Sequence, residues 1–283
     1  MPAIEFCQTG LICQSDRVDL SERPGRLMSE GPGANTPLEF GFANARGSII
    51  VKQRDHMPAL YLDSEKDRAA REAYLQSAGA ADRFEQYANP HAVRIAAIAD
   101  ALAEAFRLAP QDRKSLRTAA YMHDLGEVAM EREYIQRAGS LTDEERVDLA
   151  RHPVIGEQEA ARASADRDVQ LLVRWHHEWW NGSGYPDALR QNEIPLAARI
   201  LRVADSYAAL TDTRPFRPAM SEEEAREQLI ERAAIEFDPA VVTVLLSLQD
   251  LEELRSFAKT PDPFATPAST TDDDWTIFSS FMR

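Results

Sequence analysis

The stretch HHEWWNGSGYP, residues 176–186, decides how this chain is read. It sets two adjacent imidazoles and a carboxylate, His176, His177 and Glu178, at the end of the helical pattern DVQLLVRW. The chain then turns through Gly182, Gly184 and Pro186. Imidazole beside carboxylate is a donor set for borderline divalent cations, and an open turn after it leaves a rim for a small molecule. A histidine doublet needs partners, and the rest of the chain supplies them. Of its six histidines, His91, His123, His152, His176 and His177 fall at helix ends or junctions of one helical region, with His56 outside it. One histidine on an apolar face is more often a satisfied core residue than a ligand. Five of them, together with Asp124 and Asp205, reverse that reading.

Working outward, the composition from about Ser64 turns to Ala, Glu, Arg and Leu in amphipathic repeats with short breaks, which predicts an all-α fold. HAVRIAAIADALAEAF follows Asn89-Pro90, an expected N-cap and first-turn pair, and sets Ile95, Ile98, Leu102 and Phe106 on one face. RKSLRTAAYMHDLGE carries its apolar stripe to His123-Asp124, with Gly126 read as the stop. Thr142 and Glu145 form a capping-box pair for a helix reaching His152-Pro153, with a further helix expected from Ile155 to about Ala163. IPLAARILRVADSYAAL is a strongly apolar helix with one acid, Asp205, which requires a partner. Arg199 and Arg202 on that helix are read as salt-bridge partners at the edge of the core. Ser221 with Glu224, and Asp238-Pro239, open two more helices.

Three segments are expected. Residues 1–64 are a Pro/Gly-rich N-terminal segment of unknown role, with two short strands around LEFGFANARGSIIVK. Residues 65–258 form the helical domain, and 259–283 a disordered tail rich in Pro, Ser, Thr and Asp. The formal net charge of -15, from 47 acids against 32 bases, repels nucleic acid polymers and anionic membranes. An anionic small substrate therefore needs a local positive centre. Cys7 and Cys13 have no second pair to complete a zinc site and read as reduced thiols. The start shows no basic leader with a long apolar run, and VVTVLLSL from Val241 is too short to span a bilayer. A soluble, cytoplasmic protein is the expectation.

His91, then His123-Asp124, His152-Pro153, His176-His177-Glu178 with Gly184-Tyr185-Pro186, and Val203-Ala204-Asp205 stand in an order that resembles the HD-GYP family of metal-dependent cyclic di-GMP phosphodiesterases. The resemblance covers roughly residues 80–250, with RPFRPAM from Arg214 and FDPAVV from Phe237 similar to further family segments. It implies an HD-type helical bundle and two divalent transition metal ions, Fe or Mn. His91, His123, Asp124 and Asp205 would hold one ion, and Asp124 would bridge to a second held by His152, His176 and His177. Some members carry a glutamate four residues before the first histidine that recruits a third metal; Tyr87 stands there, so two metals are expected. Paired cations would generate a bridging hydroxide for in-line attack on cyclic di-GMP, giving linear pGpG and/or GMP.

By the same resemblance Arg214 and Arg217 would clamp phosphate; the alternative is solvent exposure or pairing with Asp212. Gly184 and Tyr185 would line the substrate rim, with Tyr185 stacking on a guanine or simply shaping the loop. Trp179 and Trp180 read either as a base-stacking wall or as packing at the helix end. Asp124, Glu127 and Glu178 are the candidate catalytic positions, Glu178 as a carboxylate orienting an imidazole. Glu127 stands where the family usually has a lysine that reaches phosphate, and Ala208 where an acid is expected. These departures favour a second reading, a weakly active or inactive receptor or protein-interaction module for the same dinucleotide, alone, as a homodimer or with a signalling partner. A phosphohydrolase of another nucleotide is a third.

Overall fold

The computed structural model describes residues 65–248 except 138, 215 and 216. The strands expected near residue 38, the tail from 259, Cys7, Cys13 and His56 lie outside the described residues. Helices follow one another throughout: α1 (Glu65–Phe84), α2 (His91–Ala105), α3 (Pro110–Met122), α4 (Leu125–Met130), α5 (Glu133–Gln136), α6 (Asp143–Leu149), α7 (His152–Arg162), α8 (Arg167–Trp175), α9 (Leu196–Leu210), α10 (Glu222–Glu231) and α11 (Pro239–Ser247), with a 3-10 turn at Gln191–Glu193. Among the described residues the only β pairings are two isolated bridges. The fold is therefore the all-α one that the periodicity predicts.

α2 and α9 are apolar on nearly every side, and such helices are stable only when surrounded. They pack on each other, and α2 also packs on α3, while α4 packs on α7 and α7 on α8. Ile95, Ile98, Leu102, Leu116, Ile200, Leu201 and Val203 fill the space between them. On the outer side, Asp100 of α2 receives Arg113 at 3.0 and 2.7 Å and Arg117 at 2.6 Å, both from α3.

Helix boundaries follow the sequence signals at Thr142, Ser221 and Asp238, whose carboxylate accepts from the Ala240 amide at 2.8 Å, and depart from them in three places. Capping boxes form at Thr142 and Ser221, each hydroxyl accepting from the amide of a glutamate three residues on, at 3.2 Å. The helix opened by Thr142 ends at Leu149, and α7 begins at His152 itself, three residues before the expected Ile155. Pro153 explains the shift, because a residue without an N–H costs nothing in a first turn. Asn89 does not cap α2: its amide is drawn to Asp212 at 2.8 Å, and the Ala92 amide donates instead to Asp82, at 3.1 Å. Gly126 does not stop a helix but sits inside α4, where an added Cβ would lie 2.0 Å from the His152 carbonyl oxygen. Its missing side chain lets α4 and α7 touch backbone to backbone, which draws Asp124 and His152 together.

Candidate metal centre

Four helix junctions and the middle of α9 converge. His91 opens α2, His123 and Asp124 link α3 to α4, His152 opens α7, His176 and His177 follow α8, and Asp205 points from α9. All seven are buried. They fall into two groups, Asp124, His152, His176 and His177, and His91, His123 and Asp205, with ligand atoms in each group within 4.8 Å of one another. Asp124 joins them: its Oδ2 lies 2.7 Å from His123 Nε2, and its Oδ1 lies 3.3 and 3.6 Å from His152 Nε2 and His176 Nε2. His91 Nε2 faces Asp205 Oδ1 at 3.4 Å.

Backbone carbonyls decide which nitrogen each ring offers. The Nδ1–H groups of His123, His152 and His176 donate to the carbonyls of Ala120, Leu149 and Val173, each three residues earlier, at 2.9, 2.8 and 2.6 Å. A neutral imidazole that donates from Nδ1 has a bare lone pair at Nε2. The Nε2 atoms of His152 and His176 then face each other at 3.3 Å, both close to Asp124 Oδ1. Three electron-pair donors turned on one point repel unless a cation lies among them, so these residues fit a metal ion.

The electrostatics agree. Burial alone would raise Asp124, yet the surrounding His123, His152 and His176 hold its carboxyl well below the usual range. Burial lowers His91 and His176, which keeps both imidazoles neutral as metal ligation requires. Burial would also lower His123, but the Asp124 and Asp205 charges push it up to about 10, so without another cation this pocket draws in a proton.

His91 is held differently from the other rings. Its Nδ1 meets no hydrogen-bond partner among the described residues, and its ring stacks on Tyr87 with centroids 3.7 Å apart and planes at 12°. Arg214 covers the other face of Tyr87 at 4.3 Å. The guanidinium is 3% exposed and donates to the Glu85 carbonyl at 2.8 and 3.2 Å, with the Glu85 carboxylate at 3.3 Å. Glu85 escaped the sequence reading; nothing in the sequence links it to a residue 129 positions away.

The other expected residues divide. Glu127 is buried on the Nδ1 side of His152, 4.0 Å from that nitrogen and away from the Nε2 that faces Asp124, and burial together with the charge of Asp124 pushes its carboxyl up to about 8. Glu178 does not orient an imidazole: its two oxygens accept from the amides of Asp187 and Leu189, at 2.7 and 2.9 Å, and so fasten the rim loop. Gly184 serves the same fastening, since a Cβ there would fall 2.2 Å from the Trp179 amide nitrogen. Tyr185 stacks on His177 at 5.0 Å and 23°. Arg217 donates to the Ala209 carbonyl and pairs backbone to backbone with Arg214, while Asp212 is engaged by Arg94 at 3.0 Å and Asn89 rather than by either arginine of the turn. Trp179 is buried and Trp180 lies under Arg199, so both pack the helix end. Arg199 pairs with Asp238, as expected of an edge residue, but Arg202 reaches inward to His177. A charged residue three positions before the lone acid of an apolar helix was the available signal for it.

The sequence profile of the HD domain family matches residues 75–241. A cyclic di-GMP phosphodiesterase of Vibrio cholerae is 30% identical over 223 residues, 72% of this chain and 45% of the relative. A cyclic di-GMP phosphodiesterase response regulator of Xanthomonas campestris is 36% identical over 156 residues, covering 54% of this chain and 41% of its own. A 3'3'-cGAMP-specific phosphodiesterase of Vibrio cholerae is 30% identical over 68% of this chain and 37% of its own. This chain therefore spans less than half the length of these relatives. A crystal structure of a cyclic GMP-AMP phosphodiesterase from V. cholerae shares the fold, with a TM-score of 0.52 and 18% identity over 66% of this chain and 51% of that one. The profile match over most of the helical region, the relatives it shares and the ordered histidines and aspartates agree, and the chain belongs to the HD-GYP family of HD domain proteins.

Proposed function

We propose that this chain is a metal-dependent phosphodiesterase that opens a cyclic dinucleotide, with cyclic di-GMP as the first substrate to test and linear pGpG and/or GMP as products. The observation that carries the proposal is the facing of bare His152 and His176 Nε2 atoms across Asp124. Asp124, His152 and His176 would hold one ion, and His91, His123 and Asp205 the other, with Asp124 joining the two. Iron or manganese suits this mixed nitrogen and oxygen set. When bound, such ions supply Lewis-acid activation of water and of the phosphoryl group.

The chain's own residues do the rest. The carbonyls of Ala120, Leu149 and Val173 fix three imidazoles, so no ring must reorient when charge develops. Tyr185 and Gly184, fastened by Glu178, form a rim beside His177 that shapes the approach of a base or sugar. Arg214, beside Tyr87 and near both Glu127 and Asp124, supplies fixed positive charge at the edge of the centre.

The test is anaerobic preparation, loading with Fe(II) or Mn(II), and product analysis on cyclic di-GMP and 3'3'-cGAMP, the substrate named for some relatives. Loss of the linear product in the H123A/D124A variant is expected; equal turnover by parent and variant would sink the proposal. Glu127 favours a second reading. A buried acid where the resemblance expects a lysine gives a phosphate no cation to bind, and dinucleotide binding without turnover in metal-loaded protein would select a receptor.

A further inference from the structure

Arg202 is 1% exposed and lies in the middle of α9, one turn before Asp205. Its Nη1 is 2.9 Å from His177 Nδ1 and 3.5 Å from Asp205 Oδ2. Its Nη2 donates to Glu236, a carboxylate that Arg232 also holds, at 2.6 Å. A guanidinium has only donors and keeps its charge, so its contact with His177 has one direction. Arg202 donates and Nδ1 accepts.

From this geometry we infer that His177 is not a metal ligand in this chain, and that Arg202 is the positioning residue that withdraws it. The argument holds whichever ring nitrogen faces Asp124, His152 and His176. If Nδ1 faces them, its lone pair is already taken by Arg202. If Nε2 faces them, Nδ1 must be bare to accept, so in the neutral ring Nε2 carries the hydrogen and has no lone pair to give. Ligation through Nε2 with the Arg202 contact intact requires an imidazolate, which ordinary histidine ligands do not form. The contrast with the neighbouring residue is direct: His176 donates from Nδ1 to the Val173 carbonyl and frees Nε2. Arg202 is itself fixed, because Glu236 has a second arginine and is 1% exposed.

A second ion would then be held by three protein ligands, Asp124, His152 and His176. Three protein ligands is the complement of catalytic rather than structural metal sites. His177 then acts as an N–H donor under Tyr185, suited to a phosphoryl oxygen.

This inference rests on the metal-centre reading, and zinc, being diamagnetic, tests the two separately. Long-range nitrogen–proton NMR on the full chain, with His177 assigned through H177Q, reads the tautomer of each ring before and after zinc is added. His123, His152 and His176 are expected as Nδ1–H tautomers whose Nε2 resonances move on zinc binding. His177 is expected as the Nε2–H tautomer, with both nitrogens nearly unmoved. A His177 nitrogen moving together with His176 Nε2 would overturn the inference while leaving the metal centre intact. If His152 and His176 do not respond, the metal reading fails and this one with it. Zinc titration gives a second readout: H176A loses one equivalent, whereas H177A keeps two with affinity within about tenfold of the parent, the scale of an outer-sphere change. An equivalent lost in H177A overturns the inference.

Discussion

The two halves of the centre are built by different means. Around Asp124, His152 and His176 are pinned by their own carbonyls three residues back, and the bond fixes both the tautomer and the direction of the free lone pair. On the other side, His91 rests flat on Tyr87, which is in turn covered by Arg214. A stack fixes the plane of a ring but neither its rotation within that plane nor which nitrogen carries the proton. The first half is preorganised for a cation; in the second His123 is pinned in the same way by Ala120, and only His91 is left free to turn in its plane. The ion beside His152 and His176 should therefore bind more tightly, and the one beside His91 should be lost first on dilution or chelation.

Substitutions at four positions test this contrast. Asp124 belongs to both halves, so D124A should remove both metal equivalents and lower turnover about ten-thousandfold, as expected when a member of a catalytic unit is deleted. Retention of one tight equivalent would show that the halves are independent. G126A strikes the pinned half alone. A methyl so close to the His152 carbonyl must push α4 from α7, costing about 1–3 kcal/mol as overpacking does. Thermal denaturation should show that loss, and the tighter equivalent should weaken while the His91 site keeps its affinity.

Y87A strikes the stacked half alone. Removing a ring contact worth about 0.5–1.5 kcal/mol should weaken the looser equivalent by up to roughly tenfold, while Y87F, which keeps the ring, should match the parent. Calorimetric titration with Mn(II) separates these outcomes, and equal weakening of both sites by Y87A would break the comparison. E178Q should have the smallest effect, because one of the two amide acceptors survives. A rise in KM for the dinucleotide with metal content unchanged is expected, and a loss of metal would return Glu178 to the ligands' own support.

The residues of the centre were legible in the sequence because each histidine or aspartate is conspicuous where it stands, at a helix junction or alone in an apolar helix such as α9. Partnerships were not. Arg214 finds Glu85 across 129 positions and Asn89 finds Asp212 across 123, and nothing local in either segment announces the other. Two glycines teach the same point. Gly126 and Gly184 look like punctuation, but each is small because a distant or returning backbone passes against it. The resemblance gives His176 and His177 the same role; the guanidinium from α9 that meets only His177 is a partner that a run of letters does not show.

The Glu178 carboxylate bears on how substrate enters. It follows directly on His177 in the chain, and it clasps the far limb of the loop that carries Tyr185. Two amide bonds to a charged acceptor, with the Tyr185 amide returning to the His177 carbonyl at 3.2 Å, join the rim to the floor as a single stiff piece. Such a wall does not swing. A ligand must then fit the rim as it stands, because neither limb can part from the other without breaking these bonds.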